Sequence, residues 1–390
     1  MDWPAADCRS ADLPPPLPDD LLLEIFLRLP PEPIYLFRAS FVSRHWRGLV
    51  HDAGFLRRFR EFHGGTPPVL GFFNLTRFPL FVPTSASFAV SAATSHHGDC
   101  SPLDCHRGRA LLISCRLRSL LVWDLVTGNE RYLPFPPGYD GSWNRSGVIV
   151  CAAAGHADHD DCRLCPFLVA FLFSHGCNIT TACLYSSETG VWGGITSIYT
   201  HNQLVARKPM ALVGNKLYCL SDNNWIIEFD FETYRLDVTG ELSRDVLSSC
   251  NWQAIIMPSE GGRLGLAGIE GFNLNLWSSV TCAHRRVIDL NKFLAPEEVA
   301  AGATPLWVVG FAEDADVIFI QVYPSGVYMI HLKSMQAEKV AENGTCGGYI
   351  WPYTSFYAPV GINIGCGDDQ PELLNGIGVG DDQPELLNGS

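Results

Sequence analysis

The sequence predicts a mainly β protein that begins with a short all-α module. Apolar residues recur at helical spacing before residue 64, and from about Val69 they form short runs separated by turn residues. Gly and Pro are frequent (36 and 26 residues), whereas charged residues make up only 17% of the chain. This composition is typical neither of a coiled coil nor of a disordered chain, because both carry more charge.

Four short helices are predicted in the N-terminal module. Asp19 or Asp20 can cap the first helix, since a carboxylate there accepts unpaired backbone N–H groups. Its apolar residues lie on one face: Leu21, Leu22, Ile25, Phe26 and Leu29. Prolines at 30, 31 and 33 end it, Ser43 can cap a third helix, and apolar residues at 55–62 predict a fourth. A module of ~45 residues buries little surface, so its remaining apolar side chains need a partner. The alternative is a helical cap packed on the main body.

The residues of this module follow a recognisable pattern. Residues 17–30 read L-P-x-x-L-L-x-x-I-x-x-R-L-P, and Arg38 and V-S-R-x-W-R at 42–47 follow. In residue types and spacing this segment resembles the F-box, with Pro33 where that family often has Asp. A proline is tolerated at a helix start.

The resemblance implies a partner and a docking site. F-box modules dock on a Skp-type adaptor, which links them to a cullin–RING ubiquitin ligase. By this resemblance the docking surface or its support comprises Leu17, Pro18, Leu22, Ile25, Leu29, Pro30, Val42 and Trp46. Some of these side chains pack the core of the module instead, and the sequence does not divide the two sets.

The rest of the chain is predicted to consist of strands. Short apolar runs occur at residues 109–114, 119–125, 147–152, 167–173, 210–213, 216–220, 225–229, 262–267, 307–311, 317–322 and 327–330. Only residues 296–301 suggest a helical turn.

A weak internal repeat groups these strands. An apolar strand end runs into a polar turn at residues 123–128, 185–190, 229–234, 277–282 and, less clearly, 330–335. Steps of roughly 50 residues with several strands each are typical of β-propeller blades. We therefore predict a propeller of five or six blades, in which radial stacking leaves few open sheet edges. A pair of β-sandwiches or an irregular barrel is the alternative.

A second, looser resemblance supports the propeller. The segments D-C-x-x-G-R at 104–109, L-V-W-D-L-V-T-G at 121–128 and R-x-L-P-x-P at 131–136 resemble the associated region of the large plant F-box families. In those proteins this region is a propeller-like domain that holds a client.

A His/Cys segment between two predicted strands has ligand types suited to zinc. His156, His159, Cys162 and Cys165 are spaced by two residues each, and C-x-x-C is a common zinc-binding pair. All four ligands would need a tight loop to reach one ion, so a polar loop is the favoured interpretation and no metal or cofactor is predicted. The segment G-T-C-G-G at 344–348 has the form of a nucleophile elbow, but it lacks the required preceding strand and following helix.

Charge and cysteine content limit which kinds of partner and which cellular compartment are expected. The net charge of −14 argues against nucleic acid or an anionic membrane as main partner, since such partners need a basic surface. No apolar stretch reaches the ~18 residues of a membrane span, and no basic-then-apolar signal is found at the N-terminus. The 14 Cys are therefore expected to be free thiols in the cytoplasm or nucleus.

These observations predict a non-enzymatic substrate receptor of a Skp–cullin–F-box ubiquitin ligase, whose propeller recruits a protein client. The alternatives are an F-box protein without a degradation role, or a propeller enzyme with an unrelated helical cap. No client-binding residue can be named from the sequence. The predicted divisions are a flexible segment (1–13), the helical module (14–64), the propeller (66–365) and an acidic tail with a duplicated ten-residue segment (366–390).

Overall fold

The computed structural model describes most of the helical module and the sheets. The described residues are 17–75, 81–85, 88, 97–152, 165–176, 178–250, 253–259, 261–278, 285–294, 305–342 and 348–357. All of them belong to one compact unit, Met1–Pro359; a second unit, Val360–Ser390, lies outside the described residues and includes the predicted acidic tail. The helical turn predicted at 296–301 also lies outside them. No helix in the described ranges is both long and apolar enough to cross a membrane.

Four helices form the N-terminal module: α1 (Asp19–Leu27), α2 (Pro33–Val42), α3 (Arg44–His51) and α4 (Ala53–Phe62). The Ser43 side chain caps α3 by accepting from the backbone N–H of Trp46 at 3.1 Å, as predicted. The predicted cap of α1 is wrong. Pro18 occupies the cap position, and Asp19 and Asp20 lie in the first turn, where their charge favours the positive end of the helix dipole.

The core of the module contains side chains from all four helices and one, Tyr357, from the segment after the last strand. Buried in one cluster are Leu22, Phe26, Leu27, Leu36, Ala39, Val50, Phe55, Leu56, Phe59 and Tyr357. Burial of large aromatic and aliphatic side chains is the main stabilising term for a module this small.

The remainder of the described chain contains 23 strands, one short α-helix and two 3-10 helical turns, Leu290–Lys292 and Glu313–Ala315. The first strands are β1 (Val69–Asn74), β2 (Phe81–Pro83), β3 (Cys100–His106), β4 (Arg109–Ser114), β5 (Ser119–Trp123), β6 (Glu130–Pro134), β7 (Arg145–Cys151), β8 (Phe167–His175), β9 (Ile179–Ser186), β10 (Val191–Tyr199), β11 (Ala211–Val213) and β12 (Lys216–Leu220). The others are β13 (Trp225–Asp230), β14 (Arg235–Glu241), β15 (Ile255–Ser259), β16 (Arg263–Glu270), β17 (Asn273–Trp277), β18 (Arg285–Asp289), β19 (Leu306–Ala312), β20 (Val317–Val322), β21 (Gly326–His331), β22 (Ala337–Glu342) and β23 (Ile350–Thr354), with helix α5 (Arg244–Ser249) after β14.

These strands form six antiparallel sheets in the described part of the chain. Five have four strands in sequence order, β3–β6, β7–β10, β11–β14, β15–β18 and β19–β22; the sixth has the order β2-β1-β23. The last strand thus pairs with the first, and it also contacts β3 on one side and β19 on the other. This arrangement is a six-bladed propeller closed by both ends of the domain, which confirms the mainly β prediction with its N-terminal helices.

The weak sequence repeat corresponds to structurally equivalent positions. Its copies follow the third strands of successive sheets, β5, β9, β13, β17 and β21. In the first copy the Asp124 carboxylate accepts from the N–H groups of Val126 and Thr127 at 2.9 and 3.1 Å. Asp230 plays the same role toward Glu232 and Thr233. A side chain that satisfies the turn backbone explains why this pattern recurs.

Candidate functional site

Two stripes of exposed apolar side chains mark the surface of the helical module. Leu17, Leu21 and Ile25 follow one another at intervals of four residues and are 51, 52 and 49% exposed. Such spacing places them on one face of α1 and of the turn before it. On α2, the rings of Phe37 and Phe41 pack edge to face with centroids 4.7 Å apart, and Phe41 is 65% exposed. We call these side chains, with Val42, the apolar stripes.

The structure divides the eight residues of the F-box resemblance into two groups. Leu17, Ile25 and Val42 are exposed, as are the two prolines, Pro18 and Pro30. Leu22 is buried, and Leu29 and Trp46 are half-buried against the same core. The Trp46 ring contacts Phe26 edge to face at 5.0 Å. Leu22 and Trp46 therefore hold the helices together, while the exposed residues are available to a partner.

Three exposed apolar side chains, Leu21, Phe37 and Phe41, are absent from the predicted docking set. The signal was present, because each stands four residues from another member of its stripe. The sequence did not show which face of α1 is buried and which is exposed. Leu21 and Leu22 are adjacent in sequence, and only packing against α3 and α4 decides which of the two is buried.

The helical module is fixed to one face of the propeller. After β23 ends at Thr354, the chain returns to the module, where Tyr357 is 4% exposed and its hydroxyl lies 2.8 Å from Nε2 of His51. Phe356 packs against Phe59 with ring centroids 6.5 Å apart. Burial, and then the nearby Arg47 charge, lowers the pKa of His51, which favours the neutral ring beside Tyr357.

The two faces of the propeller differ in what they carry. Because the strands of each sheet are antiparallel, their connections alternate between the faces. We call the face where β23 ends and β1 begins the helix-side face. A cavity of about 480 Å³ lies between it and the module, lined among others by Pro33, His63, Val69, Met329 and His331. The opposite face, formed by the connections between successive sheets and by turns such as β4–β5, is called the far face.

Acidic side chains lie near the helix-side end of the central channel. The channel is a cavity of about 70 Å³ lined by the innermost strand of every sheet, including Asp104 on β3 and Asp314 after β19. Burial raises the pKa of Asp104 from 3.8 to about 7, and burial with the neighbouring Asp314 raises the pKa of Glu313 to about 7. Asp314 itself pairs with Arg107, Oδ1 to Nε at 3.7 Å.

The D-C-x-x-G-R segment fastens three sheets together. Asp104 accepts from the backbone N–H of Ile149 in the next sheet at 2.9 Å. The carbonyl of Gly108 accepts from the Tyr353 hydroxyl of the closing sheet at 2.7 Å. Arg109 donates to the carbonyl of Cys165 at 2.6 Å. The conspicuous polar residues of this segment therefore have structural partners in the propeller.

Most of the other candidate chemistry lies beyond the described residues. His156, His159 and Cys162 fall outside them, as do Gly344 and Cys346 of the elbow-like segment. Cys165 is described and half-buried. Within the described ranges no group of three or more His, Cys, Asp or Glu side chains could hold a metal ion.

The site thus consists of exposed apolar stripes on a small helical module that packs against a six-bladed propeller. The F-box domain family matches residues 16–58, and the family described as "F-box protein AT5G49610-like, beta-propeller" matches residues 103–360. The second match covers more than half of the chain, so the chain belongs to this family of F-box propeller proteins. F-box domains generally bind Skp-type adaptors, and proteins of this family are typically adaptors rather than enzymes.

Individual relatives are distant. A protein of Arabidopsis thaliana named as an F-box protein, At3g16210, is 22% identical over 184 residues, covering 45% of this chain and 46% of its own length. The chain thus spans less than half of that relative. Among solved structures, "YCF48 bound to D1 peptide" gives a TM-score of 0.33 at 7% identity, covering 66% of this chain and 67% of the other. "Crystal Structure of Mitotic Checkpoint Complex" gives 0.32 at 11%, covering 60% and 62%. Scores this low carry no weight for fold or function.

Proposed function

We propose that the chain is the substrate receptor of a Skp–cullin–F-box ubiquitin ligase. The helical module docks on the Skp-type adaptor, and the propeller holds a protein client near the ubiquitin carrier of the ligase. The chain performs no chemistry in this scheme; its contribution is to raise the local concentration of client lysines at the carrier.

The apolar stripes are the observation that supports adaptor docking. Six apolar side chains, Leu17, Leu21, Ile25, Phe37, Phe41 and Val42, are each at least 40% exposed within about 26 residues of chain. Such a concentration of exposed apolar surface on a small module is typical of a protein–protein interface. Amphipathic helices that bind in an apolar groove of a partner contact it through residues at this spacing.

Binding to a purified Skp-type adaptor tests this proposal. We expect the full chain to bind, and Leu21→Asp combined with Ile25→Asp to abolish binding, because two carboxylates would be desolvated in an apolar interface. The matched control is Leu117→Asp, which places the same charge on a 52% exposed leucine in the β4–β5 turn of the far face. If the wild-type chain fails to bind, or the double variant binds as well as the control, adaptor docking by this surface is wrong.

Client turnover separates a degradation receptor from an F-box protein without that role. We expect proteins captured by the propeller in cells to accumulate when the cullin–RING ligase is inhibited. They should also accumulate when the Leu21→Asp/Ile25→Asp chain replaces the wild type, because that chain does not dock on the adaptor. Capture without accumulation would favour the role without degradation.

The proposal includes a cytoplasmic or nuclear location. Five cysteines of the described residues, Cys100, Cys105, Cys115, Cys183 and Cys219, are free, which is the state expected of thiols in a reducing compartment. Fluorescence microscopy of a tagged full chain checks this.

A further inference from the structure

The far face of the propeller carries an exposed tryptophan in the connection between β6 and β7. Trp143 is 69% exposed, the highest value among the exposed large apolar side chains of the described residues. An indole left this open in a well-packed propeller is available to a partner, since tryptophan is the side chain most enriched at the energetic centre of protein interfaces.

Two arginines flank the Trp143 ring. The guanidinium carbon of Arg207 lies 5.0 Å from the ring centroid, and that of Arg145 lies 5.7 Å from it. Both distances fall within the range of a cation–π contact. Neither guanidinium forms an ion pair with a carboxylate of the described residues. Two adjacent cations without an acidic partner are unusual in a chain whose net charge is −14.

The position of Arg145 is fixed by neutral groups. Its side chain is 3% exposed and donates to the Tyr139 hydroxyl at 2.8 Å and to the Ser142 carbonyl at 2.7 Å. Its Nε–H is buried and has no hydrogen-bond partner in the part of the chain that the structure describes. Because these hydrogen-bond partners of Arg145 are neutral, they do not cancel its positive charge. The field of that charge therefore acts on the surface around Trp143.

Arg207 is the more accessible of the two cations. Its side chain is half-buried, and burial together with the Arg145 charge lowers its pKa. The neighbouring Lys208 contacts the Tyr349 ring at 5.6 Å and donates to Asn224 at 3.3 Å. An incoming anion would relieve the repulsion between Arg207 and Arg145, which is a specific reason for this surface to attract one.

Nearby acids on the far face are already engaged. Asp222 accepts from Asn144 at 3.1 Å, Asp140 accepts from the N–H of Ser142 at 2.8 Å, and Asp99 pairs with Arg116 at 3.3 Å. Hydrogen bonds from neutral donors do not cancel the charges of Asp222 and Asp140, so the positive charge here is local: it lies at Arg145 and Arg207, which pair with no carboxylate of the described residues.

We propose that Trp143, Arg145 and Arg207 form the client-recognition site, and that it takes an extended peptide segment with an apolar side chain next to an anionic one, carboxylate or phosphate. The apolar residue packs on the exposed indole, and the anion is held by the Arg207 guanidinium within the field of Arg145. Guanidinium groups bind carboxylate and phosphate with paired, charge-assisted hydrogen bonds. This inference rests on the proposed function only in assuming that the occupant is a protein client.

Peptide binding to the purified full chain tests the site. The probes are three matched series of fluorescent peptides that carry leucine next to glutamate, phosphoserine or glutamine, and binding is followed by fluorescence anisotropy at two salt concentrations. We expect the glutamate or phosphoserine series to bind at least about tenfold more tightly than the glutamine series, with affinity falling as salt rises. The series that binds more tightly identifies the anion.

Variants assign the binding to this cluster. Arg207→Gln and Trp143→Ala are each expected to weaken the anionic peptides by about tenfold. The control, Arg235→Gln, removes an arginine of β14 whose side chain is 75% exposed and pairs with Asp237, and it is expected to change nothing. Both test variants alter partly or largely exposed side chains, and unchanged thermal unfolding would show that the fold is intact.

Each other outcome overturns the site. Equal binding of all three series, no binding of any series, or unchanged affinity in both variants would each do so. Tighter binding of a single-stranded oligonucleotide of equal charge would assign the cluster to nucleic acid instead. Adaptor binding, measured on the same preparation, is independent: a chain that binds the anionic peptides but no adaptor contradicts the proposed function and leaves the site standing.

Discussion

The hydroxyl of Tyr357 lies 2.8 Å from Nε2 of His51, although the two residues are separated by the whole propeller in sequence. Tyr357 follows the closing strand β23 and lies in the core of the helical module, beside Phe55 and Phe59. The propeller and the module are therefore joined by both ends of the propeller, through the chain after α4 and through the segment after β23. A client held on the propeller would keep a fixed position relative to the adaptor surface.

Removing the Tyr357 side chain should weaken the packing between the propeller and the helical module and lower the stability of the chain. Tyr357→Ala takes a large buried ring out of the module core, and we expect a loss of about 3 kcal/mol in the free energy of unfolding. Tyr357→Phe removes only the hydroxyl, for which about 1 kcal/mol is expected. Urea unfolding followed by tryptophan fluorescence measures both. Tyr132→Ala, at a half-exposed tyrosine of β6, is the control, and equal stability of the Tyr357→Ala and control chains would contradict this packing.

Substitutions at Leu22 and Ile25 should affect different properties: the first should lower stability, and the second should weaken adaptor binding. Leu22 is 4% exposed and Ile25 is 49% exposed, although they lie three residues apart on α1. Leu22→Ala is expected to cost about 2–4 kcal/mol of unfolding free energy because it opens a cavity. Ile25→Ala should leave stability within about 0.5 kcal/mol and weaken adaptor binding. Urea unfolding and adaptor titration of both variants check this split; an Ile25→Ala chain with lowered stability and normal binding would reverse our assignment.

The Asp104 carboxyl should make stability depend on pH. Its pKa is raised to about 7 in the folded chain from an ordinary value of 3.8. Between these values the folded state holds a proton that the unfolded state has lost, so this group makes the folded chain less stable as pH rises from about 4 to about 7.

The Asp104→Asn variant removes that ionisation and keeps an oxygen to accept the Ile149 N–H. We expect this variant to gain stability relative to the wild type as pH rises from 5 toward 8, which urea midpoints at several pH values would measure. Asp237→Asn, on the outer strand β14, is the control. A stability difference between the Asp104→Asn chain and the wild type that does not change with pH would contradict the buried, protonated carboxyl.

The Tyr353 hydroxyl should stabilise the closure of the propeller, where the sheet that contains β23 meets the sheet that begins with β3. Its side chain is fully buried, and its hydroxyl donates to the Gly108 carbonyl at 2.7 Å and lies 3.1 Å from the N–H of Leu125, which donates to it. Tyr353→Phe leaves two buried backbone groups of the neighbouring sheet without this hydroxyl, and we expect a loss of about 1–3 kcal/mol. Urea unfolding measures it. A matched Tyr132→Phe substitution should be neutral, and equal values for the two would show that the hydroxyl does not stabilise the closure.

The strands that the sequence predicted are buried, although buried strands such as β15 were also missed. β4, β12 and β20 are predicted to within a residue, because their apolar runs are packed on both faces between neighbouring sheets. The outermost strands β6, β10, β14, β18 and β22 are absent from the prediction. Strands such as β10 and β22 are exposed along much of their length, so they carry no apolar run, and hydrogen bonds to the adjacent strand alone define them.

Only half of the side chains in the apolar stripes belong to the predicted docking set, for a related reason. The F-box pattern located the helices and the prolines that bound them, and it named Leu17, Ile25 and Val42, which are exposed. It also named Leu22, which is buried. Spacing along a helix gives the faces of that helix, but the identity of the inward face depends on where the other helices lie.

By itself the sequence determined the family, the order of a helical module and a propeller, and a repeat that marks the third strand of successive sheets. These are local features, set by motif spacing, strand-forming runs and turns that satisfy their own backbone. Only the tertiary structure decided that β23 pairs with β1, that Tyr357 completes the module, and that Arg145 and Arg207 flank Trp143. Each of these contacts joins residues whose proximity depends on the closure of the ring or on loops from different sheets, and no local pattern of residues records such a distance.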